Sequence, residues 1–327
     1  MDTSQIQFRS FHNTDPPRLV KLWLECGLGR GAADEFTCDA FEHYVFSQPY
    51  FEKAGLIVAE IDRQLVGYVH AGFGCNQTET NLCRDSGSIC ALMVSPQQRR
   101  RGIGRQLVTH AEQYLRNSGA NKIYFGAAAP RNPFYIGMYG GSEPAGFLES
   151  DENVVPFARA LGLVEVERLA IFQRDMNTSR DPIGLRLMQN KRRFQLRLEM
   201  VDTPKSWWWT TRFGRLDSVN AVLEPKSGGE PVAEATCFGL DLYISKWGQR
   251  AAGIGDVHVP DEHRRSGFAQ TLLVELCNRM KRELVTMVDA HASESDTAAM
   301  ELLRSSGFSR VDTGIVFGWP ESANGAT

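Results

Sequence analysis

The sequence predicts an α+β chain in which one layered unit of strands and helices occurs twice in tandem. Three observations lead there: a strand, glycine turn and helix that recur after 165 positions, a matching order of elements around both, and a length of 327 residues, enough for two domains of ordinary size. The pattern is plainest at Val94-Ser95-Pro96-Gln97-Gln98-Arg99-Arg100-Arg101-Gly102-Ile103-Gly104. The apolar run 89–94 ahead of it is short enough for a buried strand, and residues 105–116 behind it carry apolar side chains at helical spacing. Glycines at the turn let main chain pass close to a ligand, and the helix start leaves amide N–H groups without intrahelical partners. Such a bend is an anion seat, with Arg99, Arg100 and Arg101 alongside to supply charge to a phosphate.

A lone Arg-x-x-Gly-x-Gly is a weak signal, since any basic surface turn imitates it. Repetition strengthens it. A shift of 165 carries Arg99 onto Arg264, Gly102 onto Gly267 and Gly104 onto Ala269, in Arg264-Arg265-Ser266-Gly267-Phe268-Ala269. Ile103, Leu107, Val108, Ala111 and Leu115 become Phe268, Leu272, Leu273, Leu276 and Met280 under the same shift. On the preceding strand, Ile89, Leu92 and Val94 fall on Ile254, Val257 and Val259. A duplicated unit explains this far better than chance.

Strand, then [QR]-x-x-G-x-[GA], then an amphipathic helix resembles the acetyl-CoA site of the GNAT superfamily of acyl-CoA N-acyltransferases. Both copies match, so the chain is similar to tandem GNAT proteins, an arrangement also found in mycothiol synthase. The resemblance implies, for each copy, a mixed, mostly antiparallel sheet with flanking helices, in α/β/α layers. It implies acetyl-CoA as cofactor, with its pyrophosphate on the bend: Arg99, Arg100, Arg101, Gly102, Ile103, Gly104 and Arg105 in the first copy, and Arg264, Arg265, Ser266, Gly267, Phe268, Ala269 and Gln270 in the second. It further implies pantetheine contacts from the main chain of Leu92, Met93 and Val94, and of Val257, His258 and Val259. The implied partner is a small-molecule or peptide amine that accepts the acyl group.

Composition agrees. Hydrophobic residues at 42% and charged ones at 23% are ordinary for a soluble globular protein. A formal charge of -3 argues against nucleic-acid binding, because positive charge gathers at the two bends and at Lys191-Arg192-Arg193. No apolar run approaches the roughly 18 residues of a membrane helix. Met1-Asp2-Thr3-Ser4-Gln5 lacks the basic and apolar regions of a secretory signal. Seven cysteines without a Cys-x-x-Cys pair lead us to expect reduced thiols in a cytoplasmic protein that binds no metal.

Along the chain, residues 6–9 alternate as a first strand, and Asp15-Pro16-Pro17 opens a helix over 19–26. Gly27-Leu28-Gly29-Arg30-Gly31 is a connector that leads to a second helical stretch at 41–46. Residues 56–61 and 65–71 form a hairpin through Asp62-Arg63-Gln64, and the polar segment 72–87 reads as loop. The motif helix closes at Asn117-Ser118-Gly119, before a strand at 123–127. The first domain then spans 1–176, a polar linker broken by Asp181-Pro182 covers 177–193, and the second domain spans 194–327. In that domain Phe194, Leu196, Leu198 and Met200 alternate as a strand, 216–223 and 232–242 form a hairpin, and 311–319 is the closing strand. Three consecutive tryptophans, Trp207, Trp208 and Trp209, suit a contact between the halves or an aromatic substrate wall.

The halves differ in length. From Arg99 to the Gly162-Leu163 turn is about 20 residues more than from Arg264 to Gly307-Phe308, and the excess falls at 131–150. Bulky aromatics among turn-formers there describe an ordered loop, either part of the acceptor pocket or packed on the other half.

Direct acyl transfer needs donors for the carbonyl oxygen, a base for the amine and an acid for the departing thiolate. Main-chain N–H groups near Val94 suit the first need. The family's usual acid, a tyrosine four residues before a Gly-Phe turn, is missing: Ala158 and Leu303 stand in its place. The insert offers Tyr135 and Tyr139, of which Tyr139 is seven residues from Asn132, the separation of Asn and Tyr in the family's helix. Ser88 replaces the glutamate that serves some members as base, leaving a water relay to Glu143 or Glu149. His258, with Asp256 on the same strand, is a base or relay, or a hydrogen-bonded structural histidine. The expected function is acetyl-CoA-dependent N-acetylation with the first copy active. The rivals are a non-catalytic acetyl-CoA sensor and, as in mycothiol synthase, an active second copy using His258.

Overall fold

The computed structural model describes residues 5–200, 206–214 and 216–320, so Met1 to Ser4, read above for a secretory signal, lie outside the described residues. No described helix is long and apolar enough to cross a membrane. Alternating apolar residues build β1 (Gln7–Ser10), β2 (Leu56–Ile61), β3 (Gln64–Cys75), β4 (Leu82–Val94), β5 (Lys122–Phe125), the two-residue β6 (Phe147–Leu148) and β7 (Val164–Asp175). Then follow β8 (Phe194–Met200), β9 (Ser218–Pro225), β10 (Ala233–Gly239), β11 (Ala251–His258), β12 (Met287–Ser293) and β13 (Ser309–Gly318). The helices are α1 (Pro16–Cys26), α2 (Cys38–Phe41), α3 (Ile103–Asn117), α4 (Val154–Ala160), α5 (Leu185–Arg193), α6 (Trp207–Phe213), α7 (Ile244–Trp247), α8 (Phe268–Arg282) and α9 (Thr297–Ser305).

All the strands join one sheet, ordered β1-β2-β3-β4-β5-β13-β7-β12-β11-β10-β9-β8, with β6 paired to β13. β4 runs parallel to β5 and β11 parallel to β12, while the other pairings among the described residues are antiparallel. This is the expected α+β class, a mixed and mostly antiparallel sheet flanked by helices. At its centre the halves exchange strands: β13, from the end of the chain, lies between β5 and β7, and β7 in turn pairs with β12. Each parallel pair is therefore continued by the closing strand of the other half. The larger core crosses with it, since Trp208, Phe213 and Tyr243 join the cluster built on Leu19, Leu107 and Phe125.

Two segments differ from the sequence reading. Residues 72–87 are mostly strand, because β3 and β4 continue as a hairpin whose tip reaches the second half, where Glu79 O accepts from Trp208 N at 3.2 Å. The linker contains α5, whose Leu187 is buried and whose polar face lies against the second bend. The tryptophans start α6: the Trp208 ring packs 5.2 Å from Tyr50 of the first half, and Trp209 Nε1 donates to Thr236 Oγ1 of the second at 3.3 Å, so the helix joins the halves.

The 131–150 insert is wedged against β13. A methyl placed on Gly314 would lie 1.5 Å from the carbonyl oxygen of Ala145, and one on Gly146 would lie 2.4 Å from that of Ile315. Main chain touches main chain here, with no flexible side chain to give way. Gly314→Ala is accordingly expected to lower stability by about 3 kcal/mol, read as an earlier midpoint in urea with unchanged slope; a midpoint equal to that of the parent would refute this packing.

Candidate active site

The two bends share one backbone conformation. Arg100 and Gly102 have φ of 65° and 81°, and Arg265 and Gly267 have 61° and 77°. In both, the arginine ahead of the bend reaches back to the end of the strand: Arg99 Nε donates to Val94 O at 3.1 Å, and Arg264 Nε to Val259 O at 3.4 Å. The residue after the bend reaches the next helix alike, Arg105 Nη2 to Ala160 O at 2.5 Å and Gln270 Nε2 to Ser305 O at 2.7 Å. Helix geometry leaves the amides of Ile103, Gly104 and Arg105 without partners inside α3.

The surroundings of the bends differ. In the first copy β4 pairs with β5 over Ser86 to Ile89 and then diverges, so Ala91 to Val94 pair with β3 on one edge alone. An extra residue at this point, where His70 faces Ala91 and Ala71 faces Ile89, gives the strand a bulge at Cys90. A cleft of about 630 Å³ opens there and runs to the bend. Leu92, Met93, Val94, Arg99, Arg100, Gly102, Ile103, Gly104 and Arg105 all line it, whereas Arg101 does not. Its basic end is at the bend; its other end is walled by Trp23, Phe125, Tyr135, Tyr139 and Phe147. Gly104 lets α4 close the side, since a methyl there would lie 3.1 Å from the Phe157 ring.

The second bend is covered. Arg186 Nη1 donates to Arg265 O at 3.0 Å, and Asn190 Nδ2 donates to Ser266 O and Thr271 Oγ1 at 3.1 Å each. A methyl on Gly267 would lie 2.8 Å from Arg186 Cδ, while at Gly102 the nearest atom is Gln106 Nε2 at 3.9 Å. Arg264 pairs with Asp261 at 2.8 Å, and Phe268 packs its ring on Phe194. Where β11 diverges, the insert fills the space: Ser142 Cβ lies 2.7 Å from the Cβ position of Gly253, and Glu143 Oε1 3.1 Å from that of Gly255. Ser142 N donates to the buried Asp289 at 2.8 Å and holds the plug in place.

Of the residues named for chemistry, the structure brings Tyr135 and Tyr139 to the first cleft and places His258 in a separate one, with no lining residue in common. The seven-residue interval from Asn132 to Tyr139 is carried by irregular loop rather than helix. Leu148 N donates to the Tyr139 hydroxyl at 3.0 Å, leaving the phenol its own proton to give. Burial raises both phenols above their ordinary 10. Neither glutamate lines the first cleft, and both are engaged elsewhere: Glu143 accepts from Arg212 at 2.6 Å and Asn132 at 2.9 Å, and Glu149 pairs with Arg168 at 3.0 Å. Asp256 sits at φ 50° in a bulge of β11, yet it shares a cleft with His258.

Sequence reasoning missed His70, Trp23, Phe147 and the covering residues Arg186 and Asn190. Apolar neighbours made His70 look like one more strand residue. It is fully buried, its Nδ1 lies 3.0 Å from the Tyr135 hydroxyl, and its Nε2 has no partner among the described residues. Burial pushes the imidazole down from its ordinary 6.5 to about 3. Above 6.5 both folded and unfolded chains hold it neutral; below, the unfolded chain takes up a proton that the folded chain refuses until about pH 3. Stability therefore falls as pH drops through this window, and His70→Gln is expected to flatten the slope by about 1.4 kcal/mol per pH unit. Denaturation curves at several pH values check this; an unchanged slope would contradict a buried neutral imidazole.

Known proteins agree with this architecture. The family model described as Acetyltransferase (GNAT) family matches twice, over residues 18–147 and 188–308. The fold is similar to a tandem GNAT protein from the clavulanic acid biosynthesis pathway, at 18% identity and a TM-score of 0.65 over 97% of this chain and 100% of that one. It is also similar to a GCN5-related N-acetyltransferase from Sphaerobacter thermophilus, at 16% identity and a TM-score of 0.60 over 96% and 95%. Comparison with curated protein sequences gives no match. With both matched regions falling on the repeated bends and strands, the chain belongs to the GNAT acetyltransferase family: it is an acyltransferase of the acyl-CoA-using kind, with two GNAT units in tandem.

Proposed function

We propose that the first copy transfers an acetyl group from acetyl-CoA directly to an amine of a small molecule or peptide, and that the second copy is a scaffold without a working cofactor site. One observation carries this reading: the Gly102 bend opens into a cleft, while the Gly267 bend lies under Arg186 and Asn190. The residues of the first cleft fit the cofactor. Open space over Gly102, the first-turn amides of α3, and Arg99, Arg100 and Arg105 suit a diphosphate. The free edge of Leu92 to Val94 suits the amide-bearing pantetheine arm. Bound acetyl-CoA supplies the thioester and hence the acyl group. The chain supplies main-chain N–H groups of the free β4 edge that donate to the carbonyl oxygen, aromatic walls that exclude water, and Tyr139, which gives its proton to the departing sulfur; the proton shed by the attacking amine leaves through water and restores the phenol.

A thiol-release assay with acetyl-CoA over a panel of amines, peptides and aminoglycosides tests the reading. Turnover with at least one acceptor is expected. Acetyl-CoA binding without any turnover would support a sensor instead, a reading that the loss of the usual tyrosine at Ala158 and Leu303 favours.

A further inference from the structure

In each copy the connection between the third and fourth strands reaches across to the other copy. In the first it is the β3–β4 tip, where Glu79 O accepts from Trp208 N. In the second it is the segment between β10 and β11, which carries Tyr243 and α7 and grips residues 30–34, between α1 and α2. The Tyr243 hydroxyl donates to Gly31 O at 3.1 Å, Ser245 Oγ to Asp34 Oδ1 at 2.6 Å and Trp247 Nε1 to Arg30 O at 2.9 Å. Lys246 pairs with Asp34 at 2.6 Å, and the Trp247 ring stacks on Tyr243 at 4.2 Å with the Arg30 guanidinium 5.4 Å from its centre.

The gripped segment leads to the phenol of the first cleft. Ala32 and Tyr139 form an isolated antiparallel bridge, closed by Ala33 N to Met138 O and Gly140 N to Gly31 O at 2.8 Å each. The Tyr243 hydroxyl also accepts from Gly141 N at 3.0 Å, so one group of the second copy clasps both sides of that bridge. Apart from the bridge, residues 27–34 form neither helix nor strand, and Gly27 and Gly29 have φ of 60° and 76°. Two main-chain bonds alone are a weak hold on a segment whose glycines cost so much entropy to order. The contacts from α7 add to them.

We propose that the second copy serves the reaction of the first: Tyr243, Lys246 and Trp247 are positioning residues that fix the Tyr139 phenol against the departing sulfur. This rests on Tyr139 being the acid of the first copy. No proton passes through α7; its contacts hold residues 30–34, and those hold the main chain of Tyr139. A displacement of about 1 Å at the reacting atoms costs on the order of 100-fold in rate, so a loosened segment shows in kcat.

The test combines thiol release from acetyl-CoA, using the panel amine that the parent turns over fastest, with amide hydrogen exchange read by nuclear magnetic resonance. Trp247→Ala is expected to lower kcat about tenfold with the KM for acetyl-CoA within about threefold, and Trp247→Phe, which keeps a ring without its N–H, to recover part of the loss. Combined with Tyr139→Phe, Trp247→Ala should slow the enzyme by no more than about twofold further, because both act through one phenol. The Leu148 N–H, bonded to the Tyr139 hydroxyl, should exchange about tenfold faster in Trp247→Ala while the amides of α3 stay as in the parent. Should Trp247→Ala fail to fold, Lys246→Met is read in its place, since it removes only the bond to Asp34. An unchanged kcat, additive deficits, an acetyl-CoA KM that rises as far as kcat falls, or Leu148 exchange equal to the parent's would overturn the proposal. Exchange needs no acceptor, so silence of every amine would refute the transferase reading while Leu148 still decides whether α7 holds the phenol.

Discussion

Gly102→Glu is expected to weaken acetyl-CoA binding by about 100-fold, whereas Gly267→Glu leaves it within about threefold. Both glycines have φ near 80°, so a side chain strains either bend by about 1–2 kcal/mol, and at Gly267 it must also displace Arg186. The shared strain makes each the control for the other. What differs is the seat. At Gly102 the new carboxylate enters open space beside the first-turn amides of α3, takes the position a phosphate would hold and repels the remaining charge. Lost donors and repulsion together need about 3 kcal/mol to give the 100-fold effect, a modest demand for a charge reversal at an anion site. At Gly267 the side chain meets Arg186, which already covers the bend, and no cofactor group is displaced. Calorimetry on both variants, after thermal unfolding has confirmed that each is folded, reads the difference directly. Equal loss from the two changes would contradict the asymmetry between the copies.

The bends were legible because their requirements are local. A positive φ at the helix start, bare amides behind it and an apolar stripe of fixed spacing are all written in adjacent residues, and the shift of 165 doubled the signal. The closure of the second bend was not legible. Residues 177–193 are polar and carry Asp181-Pro182, so they read as linker, yet α5 needs only Leu187 buried to dock, and its Arg186 and Asn190 act through polar contacts that leave no periodic trace. Strand exchange was hidden for a different reason. Alternation along β7 and β13 states which face is buried but says nothing of which strand lies at either edge. The insert was read as ordered from its aromatics, and it packs on the other half as one of the two readings had it: Ser142 and Glu143 fill the divergence of the second copy, while Tyr135 and Tyr139 line the first cleft. Its glycines let main chain meet main chain at Gly314, which no pattern of side chains announces.

Tyr139→Phe is expected to lower kcat by about 100-fold while the KM for acetyl-CoA stays within about threefold. The phenol lines the cleft, accepts from Leu148 N, and so keeps its own proton for a group in the cleft; the same N–H then steadies the oxygen once that proton has left. Phenylalanine preserves the ring contact with Trp23 and removes only the hydroxyl. The exposed cost is an unpaired Leu148 N–H, about 1–3 kcal/mol of stability, so rates should be compared where the variant is fully folded. The deficit should also depend on pH. A departing alkyl thiolate has a conjugate acid of pKa about 8.5, and above that value it leaves without needing a proton, so the variant should approach the parent as pH rises. A merely structural tyrosine would give a deficit flat in pH. Tyr135→Phe provides the counter-test, because its hydroxyl is engaged with His70 Nδ1 at 3.0 Å. Loss of turnover from that change alone, with Tyr139→Phe near normal, would move the acid to the Tyr135–His70 pair and refute the assignment made here.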